Sequence, residues 1–90
     1  MTIEISSDDP ATIEKLKELA ATDTRNITAL PITPMDGNDV LTLLIQNFES
    51  VSAGAVAIIA ALRASTPYIR ISKNGIQIGE AEKKKLLDGD

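Results

Sequence analysis

Ninety residues with a mass of 9.6 kDa suit a single domain and leave no room for a separate catalytic one. Hydrophobic residues at 43% beside 24% charged indicate a folded chain, and with aromatics at 2% the core must be aliphatic. The absence of Cys and His removes disulfides, thiolate zinc sites and the usual nucleophile and general base, while a net charge of −4 argues against nucleic acid as a direct partner.

Met1 to Ser7 carries Glu4 and has neither a basic leader nor a long apolar run, so it reads as a cytoplasmic protein rather than a signal peptide. Within it, Thr2 to Ser6 alternates β-branched and polar residues, the period of a half-buried strand. Asp8 or Asp9 before Pro10 is a helix start, and Ile13, Leu16, Leu19 and Ala20 set one apolar face of a helix from Pro10 to Ala21. The polar run 22–26 is a turn, followed by a strand at Ile27 to Ile32 in which Pro31 marks an edge or an end. Pro31 to Asn38 reads as a surface loop, closed by Asn38 or Asp39 as the cap of the next helix.

From Asp39 to about Ala64, Leu41, Leu44, Phe48, Val51, Ala55, Ile58 and Leu62 fall at three- and four-residue steps, predicting one long helix. Ser50, Ser52 and Gly54 weaken its middle, where a kink or break is possible. Membrane insertion of this stretch is disfavoured by Gln46, Asn47 and Glu49 near its centre. Thr66-Pro67 breaks the chain, and Asn74-Gly75 between two alternating runs specifies a two-residue hairpin with Ile69, Ile71, Ile76 and Ile78 on one face. Tyr68, Arg70, Ser72 and Gln77 then line the other. Glu80 to Leu87 is a short helix anchored by Leu86 and Leu87, with Lys83-Lys84-Lys85 as a solvated face, and 88–90 should fray. The expected architecture is α+β, in the order β-α-β-α-β-β, with a four-stranded sheet and both helices on one face.

Asp36 and Asp39 around Gly37-Asn38 lack the ligand spacing of a calcium loop, no glycine belongs to a phosphate-cradling motif, and no serine has a base at motif spacing. The chain therefore reads as a non-enzyme with no cofactor and no metal. Candidate interaction residues are Tyr68, Arg70, Ser72 and Gln77 on the hairpin, Met35 and Asp36 in the loop, and Arg63, whose guanidinium suits carboxylate recognition.

Several of these features occur together. An early amphipathic helix ends near Leu19, and a strand leads into Pro31-Ile32-Thr33-Pro34-Met35-Asp36-Gly37. The apolar stretch starting Asp39-Val40-Leu41 runs through Ser52-Ala53-Gly54-Ala55-Val56 to Ala61-Leu62-Arg63, and a glycine-turn hairpin follows. This pattern resembles the effector-associated constant component domains of bacterial conflict systems, with Ala61 where that family commonly has Trp. The resemblance implies a non-catalytic adaptor coupling an effector or protease to another component in antiphage defence, and it carries over no catalytic residue. A small phage-encoded inhibitor or immunity protein, blocking a host enzyme by direct binding, is the alternative that size and acidity allow. In either case the partner is a protein, not nucleic acid or membrane, and self-association through the hairpin edge at Ile76 to Ile78 is a further possibility.

Overall fold

The computed structural model describes residues 1–35 and 38–88; for Thr33 and Met35 it describes the backbone alone. The protein is α+β: among the described residues there is a sheet of six strands, all pairs antiparallel, with three α-helices. Strand β1 (Ile3–Ser7) is central and pairs on one side with β4 (Asn38–Ile45) and on the other with β5 (Arg70–Lys73). Beyond β4 lie β2 (Ile27–Ala29) and β3 (Thr33–Met35), and beyond β5 lies β6 (Ile76–Gln77).

The registers decide which side chains share a face. Ile27, Ile45, Ile3 and Lys73 form one row across the sheet, and Ala29, Leu43, Ile5 and Ile71 the next. Those rows supply Ile3, Ile5, Ile27, Leu43, Ile45 and Ile71 to one contiguous core, joined by Leu41 of β4, opposite Ser7, and by Ile69 just before β5. The helices contribute Leu16 and Leu19 from α1 (Pro10–Thr22), Ala55 and Ile59 from α2 (Ala53–Ala61), and Leu86 and Leu87 from α3 (Glu80–Leu87). All helical contributions meet the same sheet face. The other face, with Thr28, Leu44, Glu4, Ser72 and Gln77 in one row and Thr42, Ser6 and Arg70 in the next, carries no helix.

Two elements follow directly from their local signals. Asp9 caps α1, its carboxylate accepting from the Thr12 amide at 3.0 Å and the Thr12 hydroxyl at 2.7 Å, with Pro10 in the first turn. At the hairpin, Asn74 (φ 51°) and Gly75 (φ 87°) form the left-handed pair that a two-residue turn requires. Asn74 also extends β1–β5 pairing by one residue, donating its amide to the Thr2 carbonyl at 2.8 Å and accepting the Thr2 amide on its side chain at 3.1 Å.

The long helix expected from Asp39 to Ala64 does not form. Asn38 and Asp39 open β4 instead of capping a helix; a 3₁₀ turn spans Phe48–Ser50, α2 begins after Ser52, and a second 3₁₀ segment covers Leu62–Tyr68. The break lies where Ser50, Ser52 and Gly54 weaken the helical pattern, but the half before it is a strand. The reason is that residues 38–45 are an apolar run in which Leu41, Leu43 and Ile45 alternate as regularly as Leu41 and Leu44 step helically. As a strand the segment fills the gap between β1 and β2, satisfying backbone groups on both sides. The sheet therefore has more than the four strands expected from sequence, and the short final helix, expected at Glu80 to Leu87, joins the other two in the packing instead of standing apart from it.

The expected strand at Ile27 to Ile32 and the loop at Pro31 to Asn38 are corrected together. Here β2 ends at Ala29, and β3 resumes the same edge against the first half of β4. From Ala29 to Thr33 the edge advances four residues while β4 advances three, from Leu43 to Val40, so one extra residue is accommodated around Pro31 as a bulge. Gly54 is placed by close approach: a Cβ there would lie 3.0 Å from Thr22 Cγ2, where α2 starts beside the end of α1.

Candidate functional site

The helix-free sheet face brings most of the hairpin candidates together. Arg70 and Ser72 stand on β5 directly opposite Ser6 and Glu4 of β1, and Gln77 of β6 pairs with Ser72, so all share that face. Tyr68 ends the second 3₁₀ segment just before β5 and is 58% exposed. It borders a hollow of about 140 Å³ lined by Ser6, Ser7, Asp8, Asn38, Val40, Tyr68 and Arg70. This volume is well below the roughly 300–1,000 Å³ of small-molecule sites and fits one or two inserted side chains.

Hydrogen bonds hold the floor of the hollow, and most of its rim is exposed. Ser7 is buried, donating its hydroxyl to the Tyr68 carbonyl at 2.7 Å and accepting the Asp9 amide at 3.1 Å. The first of these bonds ties the end of β1 to the residue two before β5, and so fixes where Tyr68 and Arg70 emerge, while the second holds the turn into α1. Val40 supplies an apolar patch, and exposed Asp8, Asn38 and Arg70 surround it with charge of both signs and an amide. No buried nucleophile–base pair lines this hollow, and no group of three or more metal-ligating side chains occurs among the described residues.

Arg63 lies elsewhere: on the second 3₁₀ segment it pairs with Asp88 at 3.2 Å. Met35 belongs to β3, and Asp36 lies outside the described residues.

Two polar residues with structural roles were not evident in the sequence reading. Lys83, expected in a solvated basic face, is 7% exposed and donates to the carbonyls of Ile69 at 2.8 Å and Thr66 at 3.2 Å while pairing with Glu80. Its signal was its spacing, three and four residues before Leu86 and Leu87 on one helical face. Asp23 is also buried: it accepts from the Asn26 side chain at 3.0 Å and the Ser52 amide at 2.8 Å, tying the end of α1 to the start of α2. Those hydrogen bonds, that of the Asn26 side chain first and the Ser52 amide next, lower the carboxyl below its ordinary pKa of 3.8.

Among the described residues no helix is long and apolar enough to cross a membrane, the stretch 40–62 being divided between a strand, a 3₁₀ turn and α2. No family model, curated protein or solved structure matches this chain.

Proposed function

We propose that this protein is a non-catalytic interaction module that docks another protein on the helix-free face of its sheet. The observation that carries the reading is that exposed Tyr68 and Arg70 border the same hollow as the apolar patch of Val40. Tyr and Arg are the residue types most enriched at energetic centres of protein interfaces, where they surround small desolvated patches. Glu4, Ser6, Ser72 and Gln77 provide the polar surroundings on the same face.

The resemblance to effector-associated constant component domains supplies the partner class: an effector or protease of a bacterial conflict system, coupled by this chain as an adaptor. Much of that resemblance runs through residues 39–63, the segment divided between β4 and α2.

The test compares the protein with its Tyr68→Ala and Arg70→Glu variants as immobilised bait, with candidate effectors and proteases encoded beside it as prey. Both side chains are exposed, so the variants should keep the wild-type melting temperature, and the expected result is one prey lost by both. Each should weaken its binding by about tenfold or more. A prey retained equally by wild type and both variants would move docking off this face. Adding the free protein in trans separates the adaptor from an inhibitor, which would suppress the activity of an isolated target enzyme.

A further inference from the structure

The two edges of the sheet are guarded unequally. At the β2–β3 edge, Pro31, Pro34 and the bulge between the strands discourage pairing with another chain. At the opposite edge, Gly75 to Gly79 contains no proline and no charge. In the hairpin Lys73 faces Ile76, and the Ile78 amide donates to the Ile71 carbonyl at 3.0 Å. Alternation along an antiparallel ladder therefore turns the amide and carbonyl of Gln77 away from β5, outward. Beside it Ile76 stands 72% exposed, on the core-side face but past the cover of the helices.

The edge segment is also self-complementary. Gly75-Ile76-Gln77-Ile78-Gly79 reads the same in both directions. Antiparallel strands related by a two-fold axis at Gln77 would set Gln77 against Gln77, Ile76 against Ile78 and Gly75 against Gly79. The outward backbone groups of the two Gln77 residues then exchange two hydrogen bonds, and exposed Ile76 covers the half-buried Ile78 of the second copy.

We propose that two copies of this chain associate through antiparallel β6–β6 pairing centred on Gln77, making one sheet continuous across both. The proposal is independent of the docking reading, because it uses the sheet edge and leaves the Tyr68–Arg70 hollow open in each copy.

Sedimentation velocity across roughly 10 µM to 1 mM tests it, a range that captures the weak association expected of so short an edge. The expected result is a shift from 9.6 kDa toward twice that mass. Gln77→Pro removes the outward donor and Ile76→Lys places a charge on the edge, and each should raise the dissociation constant by about tenfold or more. Because Ile76 is exposed, Ile76→Lys should melt as wild type does, which keeps the test valid if the proline variant is unstable. The absence of native cysteine allows a register check: under mild oxidation Gln77→Cys should form a disulfide dimer at the axis. Ser72→Cys, one strand further in on each copy, should not. Wild type that stays monomeric throughout, a dimer indifferent to both edge variants, or equal crosslinking at positions 72 and 77 would each overturn the proposal.

Discussion

Lys83 shows how one side chain can serve several elements. Its ammonium sits among the last carbonyls of the second 3₁₀ segment and the entry to β5, so α3 is fastened by hydrogen bonds as well as by Leu86 and Leu87. Lys83→Met preserves much of the apolar stem but leaves the Ile69 carbonyl without its donor. Equilibrium urea unfolding should show a loss of roughly 1–3 kcal/mol, and Lys83→Ala should cost more by also removing the stem. Asp23 works between helices, and its lowered pKa has a definite pH consequence. The folded carboxyl binds its proton less readily than the unfolded one, so its contribution is fully present above about pH 3.8 and is lost as pH falls through the lower folded value. The urea midpoint of wild type should therefore drop on acidification through that window, and Asp23→Ala should show a smaller drop from an already lower midpoint. Equal acid dependence in the two proteins would remove Asp23 from the account.

At the scale of elements, the local chemistry of ends and turns was legible and the identity of the middle was not. Asp9-Pro10, Asn74-Gly75 and the apolar pair Leu86-Leu87 each specify a conformation by sterics or hydrogen bonding within a few residues, and each element stands where those residues put it. Residues 38–45 carry no such marker. Val40 to Ile45 is apolar at nearly every position, and an apolar run satisfies helical and strand periods at once. The start of α2 was readable in principle: Ser52 caps it, its hydroxyl accepting the Ala55 amide at 3.2 Å, three residues on as in a standard cap. Ser52→Ala should cost about 1 kcal/mol in urea unfolding while leaving the sheet intact, as judged by unchanged amide chemical shifts in β1 and β4. A disruption of those β-strand shifts would show that the cap supports more than its own helix.

For the molecule as a whole, β1 and β4 carry the fold because each is hydrogen-bonded on both sides and contributes fully buried side chains. Leu43 lies in the row shared with Ile5 and Ile71, and Leu43→Ala should cost roughly 2–5 kcal/mol, a large fraction of the stability of a domain this size. Native-state amide exchange should find the slowest protons in β1 and β4 and faster ones in β6 and α3, which lie at the periphery. Of the candidate site, Tyr68, Arg70, Ser72 and Gln77 could be grouped from hairpin alternation alone. Their neighbours Ser6, Asp8, Asn38 and Val40 could not, since those come from β1 and β4 and the strand order brings them adjacent.

The sequence by itself determined an α+β composition, an aliphatic core, the first and last helices and the closing hairpin, because each depends on contacts between near neighbours in the chain. Tertiary structure alone decided that residues 38–45 are a strand, that Lys83 is buried, and that β1 and β4 bring Ser6, Asp8, Asn38 and Val40 beside the hairpin. Those outcomes depend on which distant backbone groups need partners, and a central place between β1 and β2 outweighs the weak local preference of an apolar run.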